Sequence, residues 1–384
     1  MRRRILIDAR MYGLENTGIG RYLTKLLDNL KTLGAEFEYI VFLKEKYYEI
    51  LTFPDNWKKV KVDINHYSLG EQIILPFLIN KYAPDMVHFP HINIPFFYNG
   101  KYVVTMHDLT MHTQGLKASR LPLPLYLIKR PALLLITKKA VKNAQMIITP
   151  SLSVATDICN TYAILGDKVV AIYEGGPKPY NSQSTYRGEL YVLSNFGLVN
   201  IDYFLYVGNA FPHKNLEMAI SAVVDLNQVK NVKVKLLIAG TKDYFVKRLE
   251  NYVEKAGASE YVKIVGFVKD EDLPVLYKNA VGFVYPSLSE GFGLQGLEAI
   301  TFGTTLLCSN IPVFKEVYGT HAFYFDPRKL ESVSGTMFSV VNLNKSQKNE
   351  YLRKALDFIK KYSWNEMAQQ TLGVYRKVLE SKPQ

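Results

Sequence analysis

The chain predicts an α/β protein built from two doubly wound domains, and three observations predict it. Short apolar, strand-like runs alternate with segments of helical periodicity through both halves, as in parallel sheets covered on both faces. The length of 384 residues, 48% of them hydrophobic, exceeds one typical core and fills two. Between Glu174 and Asn200 the alternation gives way to Gly175-Gly-Pro-Lys-Pro179 and a polar stretch over Asn181–Thr185, then resumes. The expected layout is a first domain over 1–175, a linker region over 176–200, a second domain over 201–362, and a C-terminal helix over 363–384 that packs back on the first domain.

The first strand is Ile5–Ala9. Gly18-Ile-Gly20 then opens a helix with Ile19, Tyr22, Leu23, Leu26, Leu27 and Leu30 on one face, completing a βα step. Strands are expected next at Tyr39–Leu43, Met86–Phe89, Tyr102–Met106, Met146–Thr149 and Val169–Ile172. After the break, Tyr203–Val207 restarts the pattern, followed by Val234–Ala239, Val262–Val265, Gly282–Tyr285, Thr305–Cys308 and Ala322–Phe325. Folds of this kind hold ligands outside the carboxyl ends of their strands, so the crevice between the strand ends of the two domains is the expected site.

The chemistry concentrates at Ser289–Glu298, directly after the strand Gly282–Tyr285. A strand that ends in a Gly-rich turn and re-enters a helix leaves backbone N–H groups and the positive end of the helix dipole facing one point, where phosphates bind. Glu290 precedes the turn, and Glu298 falls about five residues into the helix, ~7 Å along its axis. A carboxylate accepts hydrogen bonds from hydroxyls and repels phosphate, so the fitting ligand is a diphosphate with a polyol at each end, such as a nucleotide sugar. Gly291, Gly293 and Gly296 also spell the dinucleotide fingerprint. That motif belongs to the first strand of a Rossmann unit with its ribose-binding acid about 20 residues on, and here the acid lies in the same helix. A Gly-rich helix start with two surface glutamates is the bland alternative.

The formal net charge is +12, and the stretch from Lys101 to Gln145 holds eight basic residues against one acid, Asp108. An anionic partner follows. Leucines lie between the basic residues of 117–142, which suits a helix on an anionic membrane surface and equally a solvated helix face with core leucines. No zinc-finger, RNA-recognition or leucine-zipper pattern points to nucleic acid. The apolar region Leu121–Ile136 is broken by Pro122, Pro124, Pro131 and Lys129-Arg130, so no membrane span is expected, and Ile5–Ala9 is too short for a signal-peptide core. Cys159 and Cys308 lack metal-like spacing and suit a reducing, cytoplasmic compartment. Asp270-Glu-Asp272 imitates a metal-binding D-x-D motif but precedes a helical pattern and reads as an N-cap. His88, His91, His107 and His112 lack the Cys or Glu partners of a metal site.

Four strings now carry a resemblance: Thr17-Gly-Ile-Gly-Arg-Tyr22, Thr105-Met-His-Asp-Leu109, Val207-Gly-Asn-Ala-Phe-Pro-His-Lys-Asn215 and Glu290–Glu298. In that order, over nearly the whole chain, they resemble the retaining GT-B glycosyltransferases of glycosyltransferase family four, and among these the bacterial and archaeal mannosyltransferases of surface polysaccharide synthesis. The resemblance implies two Rossmann-like domains facing a central cleft, the first binding the acceptor and the second the nucleotide sugar. Glu298 would bind the ribose hydroxyls and Glu290 the donor sugar. N–H groups of Phe292, Gly293 and Leu294 would hold the diphosphate. Lys214, after the strand-terminal Gly208, would neutralise that diphosphate as the leaving group departs. His107 would contact and position the donor sugar, and Gly18 and Gly20 would let the backbone approach the ligand. Where one form of the family pattern has basic residues, this chain has Asn209 and His213, which throws the charge onto Lys214, with Arg21 a candidate for compensation.

The expected activity is therefore transfer of a hexose, mannose from GDP-mannose being favoured, to a hydroxyl of a glycan or polyprenyl-linked glycan. No metal or cofactor is expected to be required. The site would be cytoplasmic, with peripheral attachment to the membrane. A catalytically inactive nucleotide-sugar or glycan binding module at the membrane surface is the alternative.

Overall fold

The computed structural model describes residues 2–110, 115, 122–177, 188–241 and 244–381. Its first sheet contains seven parallel strands: β1 (Arg4–Asp8), β2 (Glu38–Leu43), β3 (Trp57–Lys61), β4 (Met86–Phe89), β5 (Tyr102–Thr105), β6 (Met146–Thr149) and β7 (Val169–Ala171), in the order β3-β2-β1-β4-β5-β6-β7. The second contains six: β8 (Tyr203–Val207), β9 (Lys235–Ala239), β10 (Val262–Gly266), β11 (Gly282–Tyr285), β12 (Leu306–Ser309) and β13 (Phe323–Phe325), in the order β10-β9-β8-β11-β12-β13. Each sheet therefore has one switch point, between β1 and β4 and between β8 and β11, where successive connections diverge and leave a crevice at the carboxyl ends.

The expected strands are present with ends shifted by a residue, and β3 is an addition. Only Trp57 and Val60 of β3 are buried, and three of its five residues are lysines. It is an edge strand, and edge lysines both hide it from a hydrophobic-run search and protect the edge from pairing with other chains.

The chain divides into two compact units, one built on the first sheet and resumed from Tyr362 onward, the other Gly176–Lys361. In the first unit, one face of the sheet is covered by helices Thr17–Leu33 and Trp364–Glu380, which bury Leu23, Leu26, Leu27, Leu372 and Tyr375 against Ile5, Ile7 and Val41. The opposite face buries Leu75 and Ile79 of helix Leu69–Lys81 and Ala140 and Val141 of helix Leu123–Asn143 against Leu6, Val87 and Val104. The stretch read as a linker carries a helix, Glu189–Asn195, with Val192 and Leu193 buried. Among the described residues, no helix is long and apolar enough to cross a membrane.

Candidate active site

In the second unit, β11 runs through Pro286 and Ser287 into the Gly-rich turn, and helix Leu294–Thr301 starts immediately after Gly293. Gly293 has φ +106°, and a Cβ there would come within 2.3 Å of the Tyr318 hydroxyl. That hydroxyl donates to the Gly293 carbonyl, so the turn is clamped from behind. The conformation is one that a side chain would strain.

The loop after β8 is stitched to this turn. The Leu288 N–H donates to the His213 carbonyl at 2.7 Å, and the Asn215 amide donates to the carbonyls of Pro286 at 3.2 Å and Pro327 at 2.9 Å. Asn215 itself adopts φ +55°, a conformation asparagine tolerates. The stitching brings Lys214 Nζ to 2.6 Å from Glu290 Oε1, where Ser287 Oγ also donates at 2.7 Å. Burial opposes ionisation of Glu290, but the Lys214 ammonium, His213 and the two hydrogen bonds outweigh it and hold the carboxyl below its ordinary value.

Glu298 is buried, with the Tyr277 hydroxyl donating to its Oε2 at 3.2 Å. Glu298 is thus inside the protein and Glu290 is largely covered, so neither is a free surface charge. Phe292 and Leu294 are also buried. Gly208 directly follows β8, and the next residue, Asn209, keeps its side-chain oxygen buried with no hydrogen-bond partner. Lys214, Glu290, Glu298 and the turn therefore share one carboxyl edge, beside the β8/β11 switch point.

His107, Gly18 and Gly20 belong to the first unit. His107 Nδ1 lies 3.3 Å from Glu174 Oε1, its Nε2 lies 3.2 Å from the Pro90 carbonyl, and the Tyr22 ring meets it edge-on at 4.9 Å. Glu174, assigned from sequence to the break in the pattern, is buried and anchors this histidine. Its burial had no local signal, because its partner lies far back along the chain. A Cβ at Gly20 would come within 1.8 Å of the Gly13 carbonyl, so packing alone requires that glycine, whereas Gly18 faces open space.

One further reading changes. Asp272 precedes helix Leu273–Asn279 but makes no side-chain cap, because its own backbone is already helical rather than extended. Its Oδ1 is buried without a partner. Of the histidines, His88 hydrogen-bonds Tyr375 at 2.6 Å and Thr105 at 2.8 Å, and His91 meets Tyr67. His112 lies outside the described residues.

Residues 199–355 match the family model for glycosyl transferases group 1. The second unit of this chain is a group 1 glycosyl transferase domain. The whole chain is similar to the O-antigen chain mannosyltransferase B of Escherichia coli, 25% identical over 94% of this chain and 96% of the relative. It is 24% identical to the O-antigen chain mannosyltransferase RfbU of Salmonella typhimurium, over 95% of this chain and 97% of that one. Among solved structures, Anabaena HepE in complex with UDP and glucose superposes with a TM-score of 0.74 at 16% identity, covering 98% of this chain and all of that one. The α/β architecture of two parallel sheets is thus the GT-B architecture of known glycosyltransferases.

Proposed function

We propose that this glycosyltransferase moves a hexose, mannose from GDP-mannose being the favoured donor, to a hydroxyl of a glycan or polyprenyl-linked glycan, with retention at the anomeric carbon. The observation that carries the reading is the Lys214–Glu290 pair at 2.6 Å, held beside the clamped Gly293 turn with Glu298 buried in the helix that follows. The N–H groups of Phe292, Gly293 and Leu294 receive the diphosphate at the helix start. Lys214 neutralises it as the bond to the leaving group breaks, Glu290 accepts from sugar hydroxyls, and Glu298 accepts from the ribose. The departing diphosphate takes the acceptor proton on the same face, so neither carboxylate needs to attack carbon, and no resident metal is required. The mannosyltransferase names of the two relatives support the choice of sugar. Attachment to an anionic membrane through 117–142 completes the reading, supported by exposed Leu127, Ile128 and Leu135 beside Lys129 and Arg130.

A thermal-shift panel of GDP, UDP, ADP and their sugars, followed by turnover of the stabilising donor, tests this. GDP and GDP-mannose should raise the melting temperature, because a ligand that binds only the folded state stabilises it. Lys214→Ala and Glu298→Ala should each cut turnover by roughly 100-fold, on the scale of lost charge-stabilising groups. Unchanged turnover in both variants removes the site. Donor binding without transfer to any acceptor supports the inactive binding module instead.

A further inference from the structure

His107 stands just past β5 at the carboxyl edge of the first sheet, where the ends of neighbouring strands close on its ring. From the β4 side, the Pro90 carbonyl hydrogen-bonds Nε2 at 3.2 Å. From the β7 side, Glu174 Oε1 lies 3.3 Å from Nδ1. The Tyr22 ring of helix Thr17–Leu33 meets the imidazole edge-on and fixes its plane. Only 15% of the His107 side chain and 6% of the Glu174 side chain remain open to solvent.

Both ring nitrogens thus face oxygens that accept. A carbonyl has no proton to give, so Nε2 carries one and donates it to Pro90. A bare Nδ1 would then turn its lone pair toward a carboxylate oxygen, two acceptors meeting with no proton between them and little water to separate them. One more proton belongs to the pair. Imidazole holds a proton more tightly than a carboxyl does, by about two pH units in water, so the ring takes it and Glu174 remains the anion.

The groups around the ring are consistent with a charge there. His88 on β4 and His91 just after that strand are pushed down to about 3, by burial first and by His107 second, so both stay neutral. Tyr22 is pushed up, chiefly by burial, and keeps its proton. Asp108, next in the chain, turns its Oδ1 to the Thr110 N–H at 2.8 Å.

We propose that Glu174 is a positioning residue that holds His107 doubly protonated, so that His107 offers a ligand a fixed positive charge and no free ring nitrogen. This role rests on the proposed glycosyl transfer and alters what is expected of His107 in it. A sugar hydroxyl cannot pair with a nitrogen already committed to protein, whereas an oxygen that gains negative charge during transfer is stabilised by the open edge of an imidazolium. The charge is present at low pH and is lost as pH rises through the range in which His107 gives up its second proton.

Nitrogen NMR of the full chain with isotope-labelled histidine tests the protonation directly, the His107 signals being assigned by their loss in His107→Asn. At about pH 8, above the ordinary histidine value of about 6.5, both wild-type His107 nitrogens should give the protonated signal. In Glu174→Gln one of them should not. Consumption of the stabilising sugar nucleotide gives a second reading: Glu174→Gln should lose about tenfold more rate at about pH 8 than at about pH 6, the effect of shifting one titration by about a unit. A glutamate that merely supported the fold would cost the same factor at both. A single protonated nitrogen on wild-type His107 at the higher pH, or equal fractional losses of rate at the two, overturns the assignment. Should Glu174→Gln fail to fold, the wild-type spectrum still decides. A protein whose His107 carries both protons yet consumes no sugar nucleotide overturns the proposed transfer instead, so the two failures are separable.

Discussion

Gly293 illustrates how one residue couples the fold to the site. Its φ of +106° aims the turn, and the Tyr318 hydroxyl occupies the space a side chain would need. Gly293→Ala should therefore cost about 1–3 kcal/mol of stability, by strain and overpacking together, read as a lowered urea midpoint. The glycine and its flanking glutamates were legible in the sequence because turn chemistry is local. Tyr318 was not, since its hydroxyl reaches the turn only through tertiary packing, and Glu174 was hidden by the same remoteness from His107. His88 gives a pH prediction. Burial, with His107 nearby, pushes it from 6.5 down to about 3, so between those values the unfolded chain takes up a proton that the folded one refuses. Stability should fall as pH drops through that window. Urea titrations from pH 7 to 4 should show a shallower fall in His88→Gln, though that variant starts less stable for want of the imidazole bridge between Tyr375 and Thr105.

Elements were legible where burial is two-sided. Strands such as β8 and β11 read directly as unbroken apolar runs because both faces of the strand are buried. β3 was not, for it is half-exposed and lysine-rich. Helix Leu69–Lys81 was missed as a feature too: it has apolar residues all round, with Leu75 and Ile79 inside and Leu69, Ile73 and Phe77 exposed as one stripe. The turn at Phe96 links it to the basic helix, its N–H donating to Gln72 at 2.7 Å and its carbonyl accepting from Lys139. The apolar surface beside the lysines is therefore wider than the 117–142 stretch suggested. If this face meets an anionic bilayer, the protein should sediment with vesicles containing phosphatidylglycerol and not with phosphatidylcholine alone. Combining Phe77→Glu with Ile128→Glu should reduce the bound fraction several-fold. Sedimentation indifferent to lipid charge and to both substitutions removes the membrane claim.

At the scale of the whole chain, the alternation of strand and helix gave the two sheets, while the ownership of residues around 176–200 lay beyond pattern reading because short helices such as Glu189–Asn195 carry too few turns to show a period. The first unit is discontinuous: helix Trp364–Glu380 covers one face of its sheet, with Tyr375 bonded to His88 and Arg376 paired with Glu36 at 2.8 Å. Ending the chain after Lys361 should expose that face. Hydrogen exchange should then show lost protection in β1, β4 and β5, with the amides of β8 and β11 and their response to GDP retained. This division also sets an order of events on the ribosome. The second sheet has all its strands in hand while the first still lacks helix Trp364–Glu380 on one face, so the earliest-made portion of the polypeptide is the last to reach its final state. During that interval Ile5, Ile7 and Val41 lack the apolar partners that helix supplies, and the nascent chain is prone to aggregation there.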